Sequence, residues 1–404
     1  MESTYFRRGF GLKTEIQSQL AADYHSNVVE TLRAGDHRLA VGPMTFRLAK
    51  EFGFCYGVDR AVDYAYEARR KFPDRRLFLV GEIIHNPHVN RKLREMGIEI
   101  LAHHPDRAFD FSAVTPDDVV IMPAFGVTIG DFERLRAIGC VLVDTTCGSV
   151  LNVWKRVESY ARDGYTAIIH GKHWHEETKA TASQVMKHAD GRFLVVFDMN
   201  EARPVLDFIE HGGDPAALAA RFTPDATSPG FDFARDLVKV GIANQTTMLS
   251  GESLAIAAEF GRSMARRYGE EALPEHFRSF DTICSATQER QDAIVELLRE
   301  PLDVLLIVGG YNSSNTCHLA ALAEEKGVRG YHIEDADCVD PVAGTIRHQP
   351  VGLKHEVVTS GWLGDSRLIG LTAGASTPNN KIGETVARVC ATAGLRETLE
   401  ALLR

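Results

Sequence analysis

The sequence lacks several features that fix a protein's class at once. No run of about 18 apolar residues occurs, so no membrane-spanning helix is expected. Met1–Lys13 carries Arg7 and Arg8 but no apolar segment of the kind a secretory signal needs. There is no excess of positive charge: the formal net charge is −10, so binding to nucleic acid through a basic surface is not expected. No Gly-x-Gly-x-x-Gly dinucleotide fingerprint and no flavin site is apparent. The seven cysteines show no paired close spacing, which argues against a closed structural zinc site and against a small disulfide scaffold. A reducing compartment, with thiols free or metal-bound, fits better.

What is present is an ordinary globular composition, 44% hydrophobic and 25% charged over 404 residues, which allows two or three domains. Short β-branched runs alternate with helical spacing from Met44 onward. Thr45–Ala49, Arg76–Val80, Ile98–Leu101, Asp118–Pro123, Val141–Asp144, Thr166–His170, Arg192–Phe197, Val238–Ala243, Asp303–Val308 and Leu368–Thr372 read as strands. The intervening stretches read as helices, including Val58–Lys71, Ile129–Ala137, Val150–Arg162 and Asp292–Arg299. The fold class is therefore α/β with parallel sheets. Residues 1–44 read as an extension with helical spacing over Thr14–Arg33, and 211–232, rich in Gly, Pro, Asp and Ala, as a loop insertion.

Three cysteines sit in related polar turns: Phe52-Gly53-Phe54-Cys55-Tyr56-Gly57, Asp144-Thr145-Thr146-Cys147-Gly148 and Asp281-Thr282-Ile283-Cys284-Ser285. One such cysteine by itself is more often a core residue. The repeated Asp-Thr-x-Cys and the three similar strand–turn–helix settings favour a shared centre and a pseudo-three-fold arrangement. Three thiolates can hold three irons of a [4Fe–4S] cube and leave one iron open as Lewis acid and redox centre; zinc is the competing metal. Cys140, Cys317, Cys338 and Cys390 lack the context and read as structural.

The remaining candidates also lie where strands end, the side on which open α/β sheets bind ligands. Gly309-Gly310-Tyr311-Asn312-Ser313-Ser314-Asn315-Thr316 resembles a phosphate cradle, with glycines, hydroxyls, an amide and a helix start; a plain N-cap is the competing reading. His85 and His175 each occupy a strand-end loop and could hold a diphosphate or pass protons near neutral pH. Thr246 and Ser376 stand in similar loops. Glu177, two residues past His175, is a candidate proton donor.

Taken in order, Cys55, His85, Cys147, His175-Glu176-Glu177, Gln245-Thr246-Thr247, Cys284, Ser313-Ser314-Asn315 and Gly374-Ala375-Ser376 resemble the 4-hydroxy-3-methylbut-2-enyl diphosphate reductase (LytB) family, over about residues 44–380. Glu82-Ile83-Ile84-His85-Asn86-Pro87, Asp281-Thr282-Ile283-Cys284 through Arg290-Gln291-Asp292, and the extension are similar to its plant and cyanobacterial branch. The resemblance implies three similar α/β domains with small parallel sheets in a trefoil around a central [4Fe–4S] cluster. The implied domains are 45–57 plus 148–283, 58–147 and 284–375, with 1–44 as the extension and 376–404 returning to the centre.

The resemblance also implies roles. Cys55, Cys147 and Cys284 would be cluster ligands, with one iron site open. His85, His175, Thr246, Ser313, Ser314, Asn315 and Ser376 would bind the diphosphate and its surroundings, and Glu177 would feed the proton that lets the allylic hydroxyl leave as water. The implied reaction is a two-electron reductive dehydroxylation to isopentenyl and dimethylallyl diphosphate, the last step of the methylerythritol phosphate route. Ferredoxin or flavodoxin is the expected electron donor, and a bacterial cytoplasm the expected location. One departure stands out: many bacterial members have His where this chain has Phe125, and Lys172 or Thr128 is the expected compensation. Two other classes remain open on the residues alone: another open-cluster enzyme of the dehydratase or quinolinate-synthase kind, and a non-enzymatic iron–sulfur sensor.

Overall fold

The computed structural model describes residues 4–102 and 108–404. They form two compact units. One comprises the described residues of 1–8, 75–81 and 99–284; the other comprises 9–74, 82–98 and 285–404. Among the described residues no helix is long and apolar enough to cross a membrane.

The first unit holds two sheets. Leu77–Val80, Val119–Met122 and Val141–Asp144 are buried at every position, the pattern of strands covered on both faces. They pair in parallel, Leu77 opposite Val119 and Val119 opposite Val141. The full order is Tyr5–Phe6, Val141–Asp144, Val119–Met122, Leu77–Val80, Ile98–Leu101. The second sheet, all parallel, runs Phe277–Ser279, Val240–Asn244, Thr166–His170, Phe193–Val196. Side chains alternate across a strand, and the core shows it. Ile168 packs with Ile242, Ile256 and Phe260, while its neighbours Ala167 and Ile169 pack with Val153, Val157 and Tyr160.

The second unit is built on one larger sheet, in the order Gly330–Ile333, Val304–Val308, Leu368–Ala373, Met44–Leu48, Arg38–Val41. All pairs are parallel except the last, a hairpin. That hairpin turns through Gly42-Pro43, with Gly42 at φ 57°; the fixed φ of Pro43 leaves only a turn whose first residue is left-handed. A three-stranded antiparallel sheet of Val339–Asp340, Thr345–His348 and Val357–Ser360 is appended.

The α/β class and the several small, mainly parallel sheets stand as expected. The structure groups the segments differently from the expected domain bounds. Residues 44–48 do not join 148–283: Thr45 lies opposite Leu368 and its N–H donates to Arg367 O at 2.7 Å, and Phe46 and Leu48 share an apolar cluster with Ile369 and Leu371. With them, 58–74 and 82–98 fall in the second unit rather than with 99–147. The 376–404 segment packs on this same unit. Its helices Asn379–Thr392 and Arg396–Leu402 bury Ile382, Val386, Val389 and Leu399 in that same cluster.

The insertion at 211–232 is also not a bare loop. It contains the short helix Pro215–Ala219 and buries Leu218 and Ala226. The extension has two helices, Lys13–Tyr24 and Asn27–Ala34. Ser26 breaks the run by capping the second: its hydroxyl accepts from Val29 N at 3.3 Å.

Candidate functional site

Each of the three singled-out cysteines directly precedes a helix: Cys55 before Tyr56–Lys71, Cys147 before Gly148–Arg162, and Cys284 before Ser285–Leu297. Each also has the same backbone tie. Cys55 N donates to Ala375 O at 3.1 Å, Cys147 N to Ala124 O at 2.7 Å and Cys284 N to Thr246 O at 3.3 Å. In every case the accepting residue lies just past the end of a parallel strand, Leu368–Ala373, Val119–Met122 or Val240–Asn244. The two Asp-Thr turns repeat a further bond: Asp144 Oδ1 accepts from Thr146 N and Asp281 Oδ1 from Ile283 N, both at 3.0 Å. A helix start favours a thiolate, because its unpaired N–H groups carry partial positive charge.

The other cysteines differ. None of the seven forms a disulfide among the described residues, but Cys140, Cys338 and Cys390 are buried, whereas Cys55, Cys147 and Cys284 are half-buried. Burial pushes the Cys140 thiol up to about 11 and the Cys390 thiol up to about 12, so both stay protonated. Cys317 is half-buried too, and its Sγ lies 3.1 Å from Tyr311 O.

In the first unit the candidates form one connected set. His175 caps the helix Glu176–Val185; its Nδ1 accepts from Glu177 N at 3.1 Å, which leaves the ring hydrogen on Nε2 in the neutral form. Glu177 is 3% exposed, and its Oε1 accepts from Thr246 N at 2.6 Å. Thr246 thus links Glu177, through its N–H, to Cys284, through its carbonyl. Phe125 sets its ring edge-on to His175, centroids 6.2 Å apart, and follows Ala124, the anchor of Cys147. Gln245, part of the ordered set but assigned no role there, organises the loops: its Oε1 accepts from Lys172 N and Thr178 Oγ1, both at 3.1 Å.

The second unit holds the rest. Ser313 caps the helix Ser314–Glu325, and its Oγ accepts from Thr316 Oγ1 at 2.9 Å. Ser376 Oγ lies 3.4 Å from Ser313 Oγ and 3.3 Å from His85 O. Asn315 Oδ1 accepts from Ala375 N at 3.0 Å, so the residue that anchors Cys55 also fixes Asn315. His85 Nδ1 contacts Glu82 Oε2 at 2.9 Å. Glycines let these loops close: a Cβ on Gly310 would stand 2.5 Å from His85 O, and one on Gly374 would strike Thr316 Oγ1.

Ser314 Oγ and Asn315 Nδ2 are buried without a partner among the described residues. Two orphaned donors at a helix N-terminus suit an anion. Cavities of about 340 Å³ beside Pro43, Leu363 and Leu395 and about 420 Å³ beside Met199, Arg203 and Glu210 contain none of the candidate residues. The Thr128 expectation is corrected: its hydroxyl is committed to capping Ile129–Ile138, accepting from Asp131 N at 3.1 Å and donating to Asp131 Oδ2 at 2.7 Å. No periodicity marks a buried arginine such as Arg290, whose guanidinium reaches the carbonyl of Gly53.

An α/β protein with thiols at three helix starts and two orphaned buried donors at a fourth narrows the class considerably. Residues 46–390 match the LytB protein family, and the chain belongs to it. It is 48% identical over 388 residues to the 4-hydroxy-3-methylbut-2-enyl diphosphate reductase of Thermosynechococcus vestitus, covering 96% of this chain and 94% of that protein. It is 49% identical over 398 residues to the enzyme of the same name from Gloeobacter violaceus, covering 98% and 94%. A solved structure of (E)-4-hydroxy-3-methyl-but-2-enyl diphosphate reductase aligns at TM-score 0.52 and 26% identity, over 85% of this chain and 98% of that one. The reductase structure from Plasmodium falciparum aligns at TM-score 0.61 and 20% identity, over 84% and 86%, a likeness of fold.

Proposed function

We propose that this chain reduces 4-hydroxy-3-methylbut-2-enyl diphosphate to isopentenyl and dimethylallyl diphosphate, the closing step of the methylerythritol phosphate route. The observation that carries the substrate class is the pair of orphaned donors, Ser314 Oγ and Asn315 Nδ2, at the start of Ser314–Glu325. They and the helix N-terminus suit a diphosphate, with Ser313, Ser376 and His85 of the same unit beside them; Thr246 and His175 are proposed as substrate-binding on the family resemblance.

The reaction takes up two electrons and two protons, breaks the allylic C–O bond and releases water. LytB proteins depend on an iron–sulfur group. The donor set here fits one: three half-buried thiols, Cys55, Cys147 and Cys284, each at a helix start, and no such context at Cys140, Cys338 or Cys390. Three ligands correspond to a [4Fe–4S] cluster with one open iron. When bound it would supply the electrons and the Lewis acidity that weaken the C–O bond.

This chain's own residues supply the rest. The cradle fixes the diphosphate and so orients the hydroxyl. Glu177, buried and held by Thr246 N, hands a proton to the departing oxygen. His175 holds Glu177's backbone in place and offers its Nε2–H to the substrate. Phe125 closes this region with an apolar edge, where bulk water would compete for the proton. Ferredoxin or flavodoxin is the proposed donor of electrons, and the bacterial cytoplasm the proposed location.

The test is anaerobic: reconstitute with iron and sulfide, add reduced donor and the hydroxy-diphosphate, and follow the five-carbon diphosphates. Turnover lost in Cys147→Ser and much reduced in Glu177→Gln is the expected result. A reconstituted protein that holds iron but makes neither product sinks the reading.

A further inference from the structure

Arg290 is 3% exposed, on the helix Ser285–Leu297. Its Nη2 donates to Gly53 O at 2.7 Å and reaches Phe52 O at 3.5 Å; Nη1 donates to Ala286 O at 2.9 Å. Nε is buried and without a partner among the described residues. Among those residues no carboxylate forms an ion pair with it; Asp59 senses its charge only at longer range. Carbonyl dipoles satisfy N–H groups but do not cancel a charge, so a cation kept this way is costly to the fold. Retaining one makes physical sense where a negative charge is to be held beside it.

The carbonyls that Arg290 grips belong to the turn that carries Cys55. Gly53 sits there at φ 69°, and a Cβ on it would stand 3.2 Å from Asn379 Oδ1 and from Thr377 O. The turn is therefore pinned by Arg290 through its carbonyls and crowded at Gly53 by the Thr377–Asn379 segment.

We propose that Arg290 is the built-in counter-charge of the Cys55 turn: it fixes that turn and offsets the negative charge of the thiolate and of the iron–sulfur group held there. A fixed positive charge favours the added electron, so Arg290 raises the reduction potential. The inference rests on the reading of Cys55 as a ligand.

The test uses the full chain, iron-free and reconstituted, as the unmodified protein, Arg290→Met and Arg290→Lys. In Arg290→Met the one-electron reduction is expected to become at least tenfold less favourable, about 59 mV. The gap in melting temperature between loaded and iron-free protein is expected to narrow, because the iron-free form loses a costly cation while the loaded form loses its partner. Arg290→Lys keeps the charge and so keeps the potential near that of the unmodified protein.

An unchanged potential in Arg290→Met overturns the proposal. So does an equal fall in melting temperature in both forms with Lys as damaging as Met, since the residue is then only a clamp. A methionine variant that folds but holds no iron supports the proposal where Lys restores retention and overturns it where Lys does not. If the methionine variant does not fold, the lysine variant decides: a native potential supports the proposal and a lowered one overturns it. No iron in the unmodified protein sinks the ligand reading and this inference together; failure of the inference alone leaves the iron content intact.

Discussion

Replacing Gly310 by alanine tests whether the cradle is as close-built as its geometry states. The new Cβ would stand 2.5 Å from His85 O and 3.5 Å from Pro87 Cδ. A carbon and a carbonyl oxygen tolerate about 3.3 Å, so the two segments must part by roughly 0.8 Å. The obstacle is backbone and cannot rotate away, and Gly310 is not among the glycines of positive φ, so the cost is steric alone. Overpacking of this kind costs about 1–3 kcal/mol. Parting the segments also stretches the Ser376 Oγ to His85 O bond, already 3.3 Å, beyond useful length. If the strain falls on the cradle, diphosphate affinity drops by about 5- to 150-fold; if the fold absorbs it, melting falls instead. The assay is substrate dissociation measured without reductant, with melting temperature alongside. Gly251→Ala is the control: it lies in the helix Ser250–Tyr268 with nothing within 4 Å of the added Cβ, and should be neutral or stabilise by about 0.5–1 kcal/mol. Unchanged affinity and unchanged melting in Gly310→Ala would refute the reasoning.

Glu177→Gln keeps an acceptor for Thr246 N but removes the acid. It should lower turnover by about 10²–10⁴ with little change in substrate affinity, read from steady-state kinetics. Ser314→Ala and Asn315→Ala should do the opposite, weakening substrate binding more than turnover, as a comparison of KM with kcat would report. Thr128→Ala should lose about 1 kcal/mol of stability through its cap and leave substrate affinity alone, checked by denaturant melts and titration. Burial pushes His170 and His332 down to about 4, against about 6.5 in an unfolded chain. The unfolded chain therefore binds protons that the folded one refuses, so stability is full above about pH 6.5 and falls as pH drops toward 4. Urea midpoints from about pH 7.5 to 5 should show this, and His332→Gln should flatten the slope.

Much of the candidate site is legible in the sequence because its proposed chemistry is written in residue type and in position at strand ends. Cys55, Cys147 and Cys284 stood out by their turns, and each proves to precede a helix. Ser313–Asn315 reads as a cradle or as a cap: Ser313 caps, while Ser314 and Asn315 retain donors without partners among the described residues, which leaves the cradle open to the proposed diphosphate. Thr128 was misread because a hydroxyl's partner is not visible in a string of letters; only the fold shows it spent on Asp131. Gln245 and Arg290 carried no periodic signal, since their importance lies in which distant backbone groups they reach.

The sequence by itself determined the α/β class, the small buried strands and the kind of donor each loop presents. Those follow from local periodicity and chemical identity, which act over a few neighbouring residues. The tertiary structure alone decided that Met44–Leu48 pairs with Leu368–Ala373, and that Ala375 anchors Cys55 with its carbonyl and Asn315 with its N–H. It also decided that Arg290 lies buried against the Cys55 turn. Such pairings depend on backbone groups every residue carries, brought together from 60 to more than 300 positions apart, and side-chain identity along the chain does not encode them locally.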